Sequence, residues 1–461
     1  TTLENTSTNS IETPNNPSDI PEPGSTDAAP LPLTVPTQQP ETPSMAVTGP
    51  EEIVFDWSVE ACEPEDIPDL PARAFRDAKG RVHLISAHTL SRANVGPNLN
   101  ELTHYCDPIL KSDHNGNPAI HNDNEWLAAV YTEDGKTIYG SIHNEYHGWE
   151  HSDCVGFEDN NFACWYNTIT WAVSEDGGKT FLDALPPPAH YVAGLPHPYE
   201  AGAGPYGALE PSNIIKAEDG YYYQIVRFDD YNSDEQWACL MRTNDLADPS
   251  TWRGWDGKAF QVSFADAYAH PDASRKDHLC APLARDQIGA MDQSLTYNIY
   301  LNRYVLVGLS ADTIGGREVW GIFYSFSEDL INWTPRQLLW ERELPWTYQP
   351  GDDEMILYPT LIDPDSTSFS FETTDKQVYL YYTKTNIGNP LDRDLIRVPV
   401  EFFRNEADAL AADTRTDLSM FIKDASPESV LVSGELASRD GSSLAGKTVE
   451  FYAKQNIGDG E

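Results

Sequence analysis

Short alternating apolar runs, each closed by a turn rich in Asp and Gly, recur from residue 51 onward. Glu210-Pro211-Ser212-Asn213-Ile214-Ile215-Lys216 reads as a strand. A turn at Glu218-Asp219-Gly220 leads into the aromatic strand that begins Tyr221-Tyr222-Tyr223, and Arg242-Thr243-Asn244-Asp245-Leu246 with Trp252 adds a third strand and its exit. The same hairpin pattern appears at Ala72–Arg76 with Arg81–Ser86, at Glu125–Tyr131 with Thr137–His143, at Ser294–Asn298 with Arg303–Val307, and at Leu357–Leu361 with Gln377–Tyr382. The second strands begin near 81, 137, 220, 303 and 377, about 74 residues apart on average. Such radial repetition predicts an all-β fold, a five-bladed β-propeller over residues 51–404. Glu51–Trp57 has no hairpin partner nearby, and it is expected to close the ring by pairing with the last blade.

The exits of the third strands repeat as well. Ser174-Glu175-Asp176-Gly177-Gly178-Lys179-Thr180-Phe181 matches an S-x-D-x-G-x-x-W/F box, and Ser327-Glu328-Asp329-Leu330-Ile331-Asn332-Trp333 is a looser version. In each, Asp shapes the turn and the ring packs beneath it, so the boxes are structural rather than catalytic. Residues 1–50, rich in Thr, Pro, Ser and Asn, read as a disordered linker. At the other end, after a polar or helical stretch, Ser429–Leu436 and Lys447–Ala453 alternate like two strands. They read as the start of an immunoglobulin-like β-sandwich over 427–461, truncated.

Charge narrows the partners. The 461 residues carry a formal net charge of −43, with no basic cluster. That surface repels nucleic acid and anionic membranes, and no apolar run is long enough to span a bilayer. Six cysteines stand outside any CxxC pattern, so disulfides are expected and the location is expected to be secreted or periplasmic. Cys154 and Cys164 flank an acidic loop that they could staple. Cys62 with Cys106 and Cys239 with Cys280 are two further pairs among 15 arrangements that six cysteines allow. A monomer is expected.

The stretches Pro211-Ser212…Gly220-Tyr221-Tyr222-Tyr223 and Ser327–Trp333 resemble five-bladed propeller glycosidases, the arabinanase, xylosidase and fructosidase superfamily. The resemblance implies acids at the inner ends of the first strands, one acting as base or nucleophile and one as proton donor. Glu210 occupies such an opening and is followed by proline, as in the fructosidase Glu-Cys-Pro motif without its cysteine. The first unit instead opens with Pro71-Ala72-Arg73, where arabinanases have an Asp.

Cleaving a glycosidic bond needs one carboxylic acid to protonate the leaving oxygen and one carboxylate to activate water or attack carbon. Glu210 is the first candidate for the acid, with Asp123, Glu125 and Asp292 at the openings of other blades. The run His143-Asn144-Glu145-Tyr146-His147 is the densest in groups able to do chemistry, and alternation puts His143, Glu145 and His147 on one side if the strand extends that far. Arg73, His121, Tyr206, Asn213 and Arg227 are candidate substrate contacts, and Trp149, Trp165, Tyr166 and Trp346 are candidate stacking rings. No cofactor and no catalytic metal is expected, and structural calcium is left open. Three functions compete. The first is a glycoside hydrolase acting on a polysaccharide or oligosaccharide. The second is a polysaccharide lyase using His121, His143 or Tyr206 as base with Arg227 facing a uronate. The third is a non-catalytic glycan-binding propeller.

Overall fold

The computed structural model describes residues 42–230, 235–426 and 429–438, and these are mostly β-strand. The strands form successive antiparallel groups in chain order. The first runs Arg73–Arg76, Val82–Ile85, Leu90–Asn98, Glu101–Lys111. In the second, Asn124–Tyr131, Ile138–His147 and Trp165–Ser174 are followed by two short strands on the last of these. The third is centred on Tyr222–Asp230, which pairs with Tyr206–Leu209 and Ile215–Lys216 on one side and with Glu235–Thr243 on the other. A short parallel contact, Tyr206 opposite Tyr166, joins the second and third groups. The fourth runs Ser294–Asn298, Arg303–Ile314, Arg317–Ser327, Gln337–Glu341. The fifth pairs Glu354–Ile362, Gln377–Asn386 and Arg393–Phe403, and Arg393–Phe403 then receives both Glu52–Phe55 and Ser44–Val47.

Apolar side chains fill the spaces between neighbouring groups. Trp171, Tyr166, Tyr206, Phe228 and Trp252 form one such layer, and Val305, Phe326, Leu380, Val398 and Phe402 another. The turn boxes do the work their residue types dictate. Asp176 accepts from the backbone N–H groups of Lys179 and Thr180, and Asp329 from those of Ile331 and Asn332. Phe181 and Trp333 are buried under these turns.

Arg73 gathers the groups at their inner strands. Its guanidinium is buried, and its five N–H donors all have partners: the carbonyls of Ala72, Ala128, Pro211 and Gln293, and Thr360 Oγ1. Each group contributes one acceptor. Burial lowers the Arg73 pKa to about 9, against the pull of Asp292, which leaves it charged at neutral pH.

Several expectations are corrected here. Ser44–Val47 falls within the span assigned to a linker, yet it is a buried strand paired with Val400–Phe403. Its apolar Met-Ala-Val core is hidden by Pro- and Thr-rich flanks. The Pro211–Lys216 strand is broken: strand structure ends at Leu209 and resumes at Ile215. Ser429–Ser438 is a strand, but its partner is Thr416–Ser426. Residues 1–41 and Lys447–Ala453 lie outside the described residues. The three cysteine pairs 62–106, 154–164 and 239–280 are disulfides with Cα separations of 5.6, 5.6 and 5.9 Å.

Candidate active site

Glu210 sits in the break of the third group's inner segment. Its φ is +41°, in the left-handed region that a side chain with a Cβ disfavours, and it precedes Pro211. Tyr358 in the fifth group has the same combination: φ is +59°, Pro359 follows, and the pairing register slips between Leu357 and Thr360. At both breaks the chain leaves regular strand geometry, which frees the side chain from strict in–out alternation.

Around Glu210 the charges interlock. Arg227 lies 3.5 Å from Glu210 Oε2 and 3.3 Å from Asp229 Oδ1, and Gln293 Nε2 reaches the same Glu210 oxygen at 3.5 Å. Burial would lower the Arg227 pKa, but Glu210, Asp229 and Asp292 together hold it above the ordinary value. Asp292 is completely buried and neither carboxyl oxygen has a hydrogen-bond partner among the described residues. Burial pushes its pKa well up; Arg227 pulls against this, while Glu210 and Asp229 add to it.

Tyr358 holds a further carboxylate. Its hydroxyl donates to Asp69 Oδ1 at 3.3 Å, and Asp69 is ion-paired with Arg393. Burial raises the phenol pKa, and the charges of Asp69, Glu210 and Glu145 raise it further. Glu145 comes from the second group, whose strand extends to His147, so His143, Glu145 and His147 do share a face. Glu145 bridges them, with Oε1 3.6 Å from His143 Nδ1 and Oε2 2.9 Å from His147 Nε2. Burial would lower the His147 pKa, but Glu145 and Glu150 more than offset it. Trp149 stacks on His147 with centroids 4.1 Å apart.

Asp69, Tyr358 and Arg393 were not singled out from the sequence. A signal existed for Asp69, a carboxylate in Pro68-Asp69-Leu70-Pro71 four positions before the strand Arg73–Arg76, and for Tyr358, which repeats the residue-before-proline break of Glu210. Arg393 had none.

Other candidates are committed elsewhere. Arg73 spends every donor on the inner strands, so it has none for a substrate. Tyr206 is fully buried and donates to the Pro198 carbonyl, and Tyr166 is core. Asn213 clamps both backbone polar groups of Leu295 across two groups. His121 is buried between Asp266 and Thr168. Asp123 receives His151 Nε2 at 2.7 Å and the backbone N–H of His147, which anchors the loop after the strand. Buried His143 meets Asn167 at 2.9 Å. Asn213, His121, Asp123 and His143 had looked available because their partners are distant in sequence.

Glu125 is brought not to Glu210 but to Asp183, Asp113 and His190. Burial, then Asp183 and Asp113, raise its pKa to about 8. Glu125, Asp183 and His190 are near enough to one another to share an ion, as are His114, Asp123 and Glu150. In both clusters the histidine or acid already has a protein partner: His190 Nε2 meets the His121 carbonyl, and Asp123 meets His151.

A cleft opens beside Glu210. One cavity of about 510 Å³ is bordered by Arg227, Gln293, Asp229, Trp320 and Trp346. A second, of about 710 Å³, continues from it through the shared residues Pro205, Asp229, Gln236 and Ala290.

No protein-family model matches the chain, and no curated protein matches it. Solved structures do. The α-L-arabinanase of Cellvibrio cellulosa complexed with arabinohexaose is 11% identical, covering 71% of this chain and 91% of its own, with a TM-score of 0.39. An endo-arabinase from Bacteroides thetaiotaomicron is 10% identical over 76% and 97%, with a TM-score of 0.41. A sucrose-6-phosphate hydrolase from Lactobacillus gasseri is 11% identical over 80% and 68%, also at 0.41. The structures similar to this chain are thus arabinanases, glycosyl hydrolases and a sucrose-phosphate hydrolase, and no single family among them is resolved.

Proposed function

We propose that the chain is a glycoside hydrolase built on a five-bladed propeller, with Glu210 as proton donor and Asp69 as the second carboxylate. One observation carries this reading. The Tyr358 hydroxyl in the fifth group donates to Asp69, which precedes the first, and the partners of Glu210, Arg227 and Gln293, border an open cleft. Paired carboxylates on a concave surface are what glycosidic cleavage requires. Asp69, ion-paired with Arg393, supplies the base; Tyr358 positions it. Glu145 holds His147. The disulfides fit a secreted or periplasmic protein.

A lyase fits less well. Tyr206 and His121 are buried against protein partners, and Arg227 is engaged by Glu210 and Asp229. The test is a panel of plant and algal polysaccharides scored for reducing-sugar release and for absorbance at the unsaturated-uronate band. Sugar release without that absorbance is expected, and Glu210→Gln should lower it roughly a hundredfold or more with the fold intact. Absorbance gain, or an unchanged rate in the variant, would overturn the assignment.

A further inference from the structure

The cleft is longer than the catalytic carboxylates need. Its two connected cavities, about 510 and 710 Å³, each match the size of a site for a drug-sized ligand, so together they exceed one sugar ring. Trp346, an indole 54% exposed, lines the same cavity as Arg227 and Gln293, the partners of Glu210. It stands edge-on to Trp320 with centroids 5.9 Å apart. The turn that carries it is pinned, because the Leu344 N–H donates to Thr347 Oγ1 and the Tyr348 N–H to the Leu344 carbonyl. An exposed flat ring held in one orientation is a preorganised stacking surface.

The charges of the lining select against anions. Asp229, Asp230 and Glu235 face two arginines. Arg227 is paired with Glu210 and Asp229, and Arg285 with Glu235 at 3.2 Å. Among the described lining residues, neither guanidinium lacks a carboxylate partner. A uronate or sulfate entering here would lose hydration and meet carboxylates instead of a free cation.

We infer that this cleft binds an uncharged oligosaccharide chain, and that Trp346 carries one of its sugar rings. The inference rests on the hydrolase reading only for the class of ligand.

Affinity electrophoresis of the intact protein tests it. The gels contain neutral arabinan, galactan, xylan or β-glucan, or anionic polygalacturonate, alginate or carrageenan. Retardation by at least one neutral glycan and by none of the anionic ones is expected. Trp346→Ala should weaken that binding about tenfold or more, as loss of a tryptophan anchor does, and Trp346→Phe should keep most of it. The Phe variant also guards against a folding defect in the Ala variant. Retardation by anionic gels alone, equal retardation of wild type and Trp346→Ala, or no retardation in any gel would overturn the proposal. Retention of a neutral glycan that releases no reducing sugar would instead sink the hydrolase reading and leave this one standing.

Discussion

Replacing Arg73 by lysine strikes the point where the strand groups meet. The guanidinium makes five hydrogen bonds, four of them to backbone carbonyls, inside a buried space. Lysine keeps the charge but offers three donors from one atom. At least two acceptors then lose their partner. Each buried acceptor left unsatisfied costs about 1–3 kcal/mol, so the loss is about 2–6 kcal/mol. That is a large share of a total stability of roughly 5–15 kcal/mol. Urea unfolding followed by tryptophan fluorescence, with disulfides intact, measures it as a drop in midpoint. At subdenaturing urea the variant should retain its KM, because no donor of Arg73 faces the cleft. A midpoint within about 1 kcal/mol of wild type would refute the account, and so would a raised KM with unchanged stability, which would return Arg73 to the substrate.

Two further outcomes follow from strain and burial. Glu210 holds a φ of +41° and an ion pair with Arg227, so Glu210→Gly and Glu210→Ala should both abolish hydrolysis and lose the pair, but the glycine variant, free of the strain, should be about 1 kcal/mol the more stable; equal stability of the two would deny the strain. Glu125 has a folded-state pKa of about 8, above its unfolded value, so its contribution is fully present below about pH 4.5 and lost as pH rises through 8. Thermal melts from pH 5 to 9 should fall over that window in wild type and flatten in Glu125→Gln, and parallel curves would remove Glu125 as the cause.

What sequence pattern revealed here is what is local. The boxes at Ser174 and Ser327 declare their turns because Asp, Gly and the ring all act within eight residues. Strand starts were legible for the same reason. Asn213 and Asp123 were misjudged because their partners, Leu295 and His151, are brought in by tertiary pairing across 82 and 28 residues. Asp69 was overlooked because it lies ahead of Pro71-Ala72-Arg73, the stretch that reads as the strand opening, with Leu70 between. Ser44–Val47 was hidden because its pairing partner, rather than its composition, makes it a strand.

The strand Glu52–Phe55 is joined to Arg393–Phe403 by backbone pairing and by an Arg397–Glu52 contact that spans 345 positions. This early strand, like Ser44–Val47 before it, therefore has no partner until Arg393–Phe403 has been made. Contact order of this kind places closure last in folding and makes it slow, since the entropy of so long a loop is lost before the pairing contributes. During synthesis these early strands keep open edges, so any chaperone that acts on this protein before Arg393–Phe403 is made has Ser44–Val47 and Glu52–Phe55 to shield.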